Sequence, residues 1–213
     1  MGSAAYPLFL DLQAVPVLVV GGGGVSVRKV AALVECGGRP TVVAPAVHRE
    51  LEAQAAAGRI MLDRRPYRAG EAANFRLVFA ATDDAAVNAG VAEDARSGGA
   101  WVNLADDPQG STAVVPASVR EGAVTAALST GGGSPLLARL LRERVAEVIT
   151  PGVGRVAARL GELRAEVRSR WPEDETRRRR FWFELVDESF LDSAIAGDDR
   201  DVEQRIARCL SQS

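Results

Sequence analysis

The stretch Gly21-Gly22-Gly23-Gly24-Val25-Ser26 has the residue types and spacing to hold a phosphate. It follows the apolar run Val15 to Val20 and opens a segment of helical periodicity. Written as Gly21-x-Gly23-x-x-Ser26, it has the form of a dinucleotide fingerprint. Gly21 permits the tight strand-to-helix turn, and Gly23 lets a pyrophosphate approach the backbone. Ser26 is small enough for close helix–strand packing. The helix behind the turn aims free N–H groups and its positive dipole end at the anion. Gly21 to Gly24 and Val25 are the pyrophosphate candidates; the alternative is a turn that serves packing alone.

A carboxylate about 20 positions on usually holds the adenosine ribose. Here the second apolar run ends Val43-Ala44-Pro45-Ala46, with no carboxylate and no arginine at its tip. Ala44 and Pro45 occupy that place, and it does not distinguish NAD from NADP.

Two more groups could do chemistry. Asp106 and Asp107 follow the run Ala100 to Leu104. In an open α/β sheet, ligands bind beyond the carboxyl ends of the strands. A carboxylate there can take a proton, or it can cap the turn before Pro108. Gly131-Gly132-Gly133-Ser134-Pro135 opens a long amphipathic stretch, with Ser134 as N-cap and Pro135 as first helical residue. Its free N–H groups form a second anion site, unless the turn serves only to enter a helix.

Histidine cannot carry this chemistry in quantity. His48 is the only one, beside an expected helix start at the surface. Acid–base work falls to carboxylates or water, and no metal site is expected.

The elements that must position these groups alternate. Apolar runs at Val15 to Val20, Pro40 to Ala44, Ile60 to Leu62, Leu77 to Ala81 and Ala100 to Leu104 read as strands. Val25 to Glu35, Leu51 to Ala57 and Asp84 to Arg96 read as helices between them. Short βα units imply a parallel sheet covered on both faces, hence a doubly wound α/β fold. After residue 110, Thr112 to Val115 and Ala123 to Leu128 read as an antiparallel pair around a polar connection, Val119 to Gly122. Leu136 to Ile149 is a helix that ends at Pro151-Gly152, and Gly197 to Asp201 is an acidic loop. The rest, from Val153, is helical. This gives a Rossmann domain over 1–111, a dimerisation segment of two strands and a helix over 112–149, and a helical domain over 150–213.

Composition sets the outer limits. Of 213 residues, 47% are hydrophobic and 25% charged, and the formal charge is −2. That is globular composition, with no global attraction to nucleic acid. The run Arg177 to Arg180 precedes Phe181-Trp182-Phe183, but Glu173, Asp174, Glu175 and Glu184 surround it. A helix face packed by Phe181, Trp182 and Leu185 is the expected reading. No apolar run spans a bilayer, and Met1 to Leu10 has no basic leader region. Cys36 and Cys209 show no metal-ligand spacing and fit a reducing cytoplasm.

The motifs also occur in a telling order. Pro7-Leu8-Phe9-Leu10 is followed by the glycine turn with Arg28-Lys29, then by Ala80-Ala81-Thr82-Asp83-Asp84. Val102-Asn103-Leu104-Ala105-Asp106-Asp107-Pro108 comes next, and then Ser129 to Glu143. Together these resemble the precorrin-2 dehydrogenase and sirohydrochlorin ferrochelatase family, which includes the N-terminal module of bacterial siroheme synthase. The resemblance implies a stand-alone form without the methyltransferase module. It implies NAD-dependent oxidation of precorrin-2 to sirohydrochlorin, ferrous iron as a further substrate in some members, and a homodimer that exchanges the post-Rossmann elements.

The resemblance also places the site residues. Asp106 matches the catalytic base, with Asp107 as competitor. Thr82, Asp83 and Asn103 join the cofactor candidates; the alternative for this stretch is helix N-capping by Asp83 or Asp84. Thr130 matches a serine that is phosphorylated in some relatives. By their own chemistry, Thr130, Gly131, Gly132 and Ser134 at the second anion site, with the planar donor forks of Arg120 and Arg139, are the candidates for the substrate's carboxylates. A non-catalytic NAD-sensing module is the rival reading.

Overall fold

The computed structural model describes residues 5 to 212, so part of the Met1 to Leu10 segment lies outside them. The chain divides into two compact units, one ending at Val115 and one starting at Pro116.

The first unit is a five-stranded parallel sheet. Its strands are β1 (Val17–Val20), β2 (Thr41–Val43), β3 (Met61–Asp63), β4 (Leu77–Ala80) and β5 (Trp101–Leu104), in the order β3-β2-β1-β4-β5. Helices α1 (Gly24–Glu35), α2 (Arg49–Ala56) and α3 (Ala85–Ser97) cover it. β1 and β4 are buried at every position, as expected of strands packed on both faces. Leu18, Val20, Val78 and Val102 pack against the Val91 and Ala95 side of α3. Val17, Val19, Val42 and Phe79 pack against Val30, Leu33 and Leu51 on the other face. This bears out the Rossmann-type α/β class.

Topology places the site. The chain steps outward from β1 to β3, then returns to pair β4 with the free side of β1. That reversal opens a crevice at the carboxyl ends of β1 and β4. Val20 is in register with both Val43 and Ala80, and Ala80 with Leu104. The residues that follow, Gly21, Ala44, Ala81 and Ala105, therefore form one row along the upper edge.

The second unit contains β6 (Ala117–Glu121), β7 (Val124–Leu128), α4 (Pro135–Val148), α5 (Pro151–Arg170), α6 (Glu175–Leu185), α7 (Glu188–Ala196) and α8 (Asp199–Gln212). Leu163, Val167, Phe181, Leu185, Phe190 and Ile206 form its core, with Trp182 packed against it. The arginine run is engaged within the unit. Arg177 lies over the Trp171 ring, Arg178 bonds the carbonyls of Trp171 and Pro172, and Arg180 pairs with Glu184.

Three expectations need correction. Thr112 to Val115 is not a strand: the Thr112 and Ala113 amides both donate to Val102 O, at 2.8 and 3.0 Å, and tie the segment to β5. The hairpin strand lies further on, because Gly122 (φ 57°) makes a tight turn that brings Arg120 and Glu121 into the ladder. Pro151-Gly152 starts α5, since Thr150 caps the helix and Pro151 needs no N–H at its first turn. Gly152 is required there: a Cβ on it would stand 2.2 Å from Ala194 O. Finally, the loop before α8 is short, for Asp199 to Asp201 are already helical.

Candidate active site

The glycine turn is shaped by steric limits on one side and open space on the other. Gly21 has φ +121°, and a Cβ on it would lie 2.3 Å from Ala81 O. A Cβ on Gly22 would lie 2.0 Å from Ala46 O. By contrast, a Cβ on Gly23 or Gly24 would meet nothing within 4 Å. The first pair thus fixes the turn, and the second leaves room for a ligand against the backbone. Gly23 caps α1 without a side-chain bond, and no acidic residue stands in the first turn. The leading amides of α1 have no acceptor within the helix. A cradle of this shape, polarity and dipole fits a pyrophosphate.

Above the turn lies a groove of about 740 Å³. Gly21 to Gly24, Val25, Ala44, Pro45, Thr82 and Asp83 all line it, so the sequence-derived cofactor candidates meet at one place. Asn103 does not. Its amide accepts from Lys29 Nζ at 2.7 Å and donates to Ala113 O at 2.9 Å. This polar pair sits on the α1 face of the sheet, where burial and the neighbouring Arg28 hold Lys29 below the usual lysine range.

The groove also has walls that were not foreseen. His48, Pro66, Tyr67 and Val87 line it. The His48 N–H donates to Gly22 O at 2.8 Å, and its Nδ1 accepts from the Glu50 N–H at 3.3 Å. In the neutral ring the proton is therefore on Nε2. Tyr67 is held by two hydrogen bonds. Its hydroxyl donates to Asp94 at 2.6 Å and accepts from the Ala72 N–H, and burial with the Asp94 bond pushes it above the usual phenol range.

The two carboxylates after β5 separate by role. Asp107 Oδ1 accepts from the amides of Gln109 and Gly110, at 3.0 and 2.9 Å, and so closes the turn. Asp106 is exposed and accepts from Asn88 Nδ2 at 3.2 Å. Asn88, buried on α3, also bonds Thr82, which lines the groove. Asp84 caps α3 through the amides of Ala86 and Val87, and both Asp83 and Asp84 line the groove. Asn88 escaped the sequence reading. Its signal was position: it falls on the apolar stripe of Val87, Val91, Ala92 and Ala95, where a polar side chain needs partners.

In the second unit, Ser134 caps α4 through the Leu137 N–H. The Thr130 hydroxyl bonds the Ser134 amide and carbonyl, at 3.1 and 3.2 Å. Gly131 and Gly132 take φ +63° and +85° to form the turn. Arg139 is well exposed and pairs with Glu143 at 2.9 Å. Arg120 reaches Thr125 across the hairpin at 3.4 Å.

Residues 8–117 match the model of the family described as "Putative NAD(P)-binding". The chain belongs to that NAD(P)-binding family. Residues 152–210 match a second model, the sirohaem synthase dimerisation region. A siroheme synthase of Methylococcus capsulatus is 39% identical over 198 residues, which are 93% of this chain and 42% of the relative. Siroheme synthase 1 of Aeromonas salmonicida is 38% identical over 204 residues, 96% of this chain and 43% of the relative. The chain thus spans less than half the length of these relatives. A solved precorrin-2 dehydrogenase, SirC, superposes with a TM-score of 0.77 at 27% identity, over 96% of this chain and all of that one. The resemblance drawn from the motifs is borne out. The NAD(P)-binding match ends two residues past the structural border at Val115, so the groove and both carboxylates belong to it.

Proposed function

We propose that this chain oxidises precorrin-2 to sirohydrochlorin with NAD, as a dehydrogenase of siroheme synthesis. One observation carries the reading: an exposed carboxylate, Asp106, is tied through Asn88 to Thr82 on the wall of a dinucleotide-shaped groove.

The roles follow from position. The α1 amides behind Gly21 to Gly24 hold the pyrophosphate, with Val25 beside them. Ala44 and Pro45 border the adenosine end, and Thr82 and Asp83 border the other. Bound there, NAD supplies the acceptor for a hydride. Asp106 takes the accompanying proton, so the C–H bond to the ring carbon breaks as an O–H bond forms on the carboxylate. A positioned general base typically contributes 10² to 10⁴-fold. The turn of Thr130, Gly131, Gly132 and Ser134 takes the acidic substituents of the tetrapyrrole, with the Ser134 hydroxyl hydrogen as one donor, since the Thr130 hydroxyl and the Ser134 and Gly131 amides are held within the turn. Arg120 and Arg139 offer guanidinium forks for the same groups.

Insertion of ferrous iron into the product would use the same base, because each pyrrole N–H must lose its proton. Iron uptake by sirohydrochlorin in the absence of NAD tests that step separately. We also place two copies in one particle, since no residue of α4 is buried and its leucines face outward. The two cysteines, Cys36 and Cys209, form no disulfide and suit the cytoplasm. Among the described residues, no helix is long and apolar enough to cross a membrane.

The test is an absorbance assay with precorrin-2, NAD and the protein. Stoichiometric NADH and sirohydrochlorin are expected. NAD binding without NADH from any reduced tetrapyrrole would instead support a non-catalytic NAD sensor.

A further inference from the structure

Asn88 sits near the start of α3, only 2% exposed, with four hydrogen bonds to its amide. Oδ1 accepts from the Thr82 N–H at 3.2 Å and from the Thr82 hydroxyl at 2.8 Å. Nδ2 donates to Thr82 O at 3.0 Å and to Asp106 Oδ2 at 3.2 Å. An asparagine amide has two donor hydrogens and two acceptor lone pairs: both donors are used, one lone pair takes the Thr82 N–H, and the other shares the single Thr82 hydroxyl hydrogen with Asp84 O.

This pattern fixes which way the amide points. The Thr82 N–H can only donate, so it must face Oδ1. The NH₂ group is then turned toward Thr82 O and Asp106. Asp106 therefore always meets a donor at that place, never an acceptor. A donor of fixed direction holds the carboxylate by one oxygen. Among the described residues no hydrogen bond reaches Oδ1, the oxygen left for a proton.

The linkage also spans two strands. Thr82 follows β4 and lines the groove, whereas Asp106 follows β5. Their backbones are joined below by the β4–β5 ladder, in which Ala80 pairs with Leu104. Asn88 joins them above it, so the carboxylate is set relative to the groove wall rather than to its own exposed turn. We infer that Asn88 is a positioning residue, which orients Asp106 against the cofactor groove by clamping it to Thr82. This inference rests on the proposed dehydrogenase reading with Asp106 as base.

The test compares Asn88→Ala, Asn88→Asp and Asp106→Asn in the full chain, with precorrin-2 and NAD. Asn88→Asp keeps the volume and the bond to the Thr82 amide, and an acid near a helix start is tolerated. It also sets one carboxylate against another, so it tests the clamp even where the alanine variant does not fold. A misplaced group costs up to about 10²-fold in rate. Both Asn88 variants are expected to lose about 10- to 100-fold in kcat. The Kd for NAD, from tryptophan fluorescence, and the KM for precorrin-2 should stay within about twofold.

The outcomes separate cleanly. No NADH from the unaltered chain sinks the enzyme reading and this inference with it. Full turnover by Asp106→Asn removes the base and leaves Asn88 nothing to position. An inactive Asp106→Asn beside Asn88 variants of normal kcat overturns the positioning role alone. So does a loss of NAD affinity in step with kcat, which would make Asn88 only a support of the groove wall.

Discussion

A Cβ placed on Gly21 would stand 2.3 Å from the Ala81 carbonyl oxygen, across the switch point between β1 and β4. The carbonyl belongs to the row of residues that ends the strands, so it cannot move without disturbing the sheet. Gly21 also has φ +121°, a conformation that L side chains rarely adopt. Gly21→Ala is therefore expected to cost about 2–3 kcal/mol through strain and overpacking, and to lower Tm measurably. Gly23→Ala should behave in the opposite way. Its φ is −85° and a Cβ would meet no protein atom within 4 Å, so Tm should hold. Its Kd for NAD should rise about 10-fold or more, because the methyl enters the space of the pyrophosphate. Thermal melts and NAD titrations of the two variants check this; a Gly23→Ala protein with normal affinity would remove the cradle.

Asp106 and Asp107 are adjacent in sequence and opposite in use. Asp107 is bound to the amides of Gln109 and Gly110, whereas among the described residues Asp106 accepts from Asn88. Asp106→Asn should lower kcat about 10²-fold or more with NAD binding intact. Asp107→Ala should lose about 1 kcal/mol from the turn and keep its kcat. Asp83→Asn, on the groove wall, should change the Kd for NAD more than kcat. Steady-state kinetics with NAD titrations separate the three. Turnover that depends on Asp107 instead would reverse the assignment.

What could be read from the sequence follows from burial. β1 and β4, packed on both faces, stand out as apolar runs, and the glycine turn at the end of β1 is equally legible; the edge strand β3 is half-exposed and shows only as a short run. A residue and a segment lie away from where sequence neighbourhood alone would put them. Asn103 stands with Thr82 and Asp83 among the cofactor candidates, but strand alternation sends it to the face opposite Val102 and Leu104, where Lys29 meets it. Thr112 to Val115 has strand-forming residues, but both of its bonded amides converge on one carbonyl, Val102 O. No local pattern encodes that long-range choice. Asn88 was legible in principle, as the lone amide on an apolar helix stripe. Its partner Asp106 lies 18 positions away, and only the fold brings them together.

Tyr67 gives the first unit a specific alkaline weakness. Its folded-state pKa is raised by burial and by the bond to Asp94, above the ordinary value of 10.0. A group raised in this way stabilises the fold fully below its unfolded value, and the contribution is lost as pH climbs through the folded one. The window therefore opens above pH 10.0. Below it, the unfolded chain keeps the phenol proton as well, and the slope from this group vanishes. Urea midpoints should fall above pH 10 in the unaltered chain and fall less steeply in Tyr67→Phe. The variant should start from a lower midpoint at neutral pH, because Asp94 and the Ala72 amide lose a partner. Parallel slopes in the two proteins would show that the hydroxyl does not carry the effect.

The outward face of α4 makes the last prediction. Leu136 is 65% exposed and Leu140 50%, and four residues apart they share one side of the helix. Leu137 and Leu141 extend the apolar surface beside them, 49% and 42% exposed. Leucines at this density are costly in water, and burying one fully contributes about 1.5–3 kcal/mol. A second copy of the chain covers this face in the proposed homodimer. Replacing Leu136 and Leu140 together by glutamate removes that gain twice and adds two charges. The dimer dissociation constant should rise by at least about 10²-fold, which turns a micromolar sample into monomer. The variant should still fold, since no residue of α4 is buried in the protomer. Sedimentation of the two proteins over a concentration series decides it: an unchanged dimer in the double variant would place the interface elsewhere.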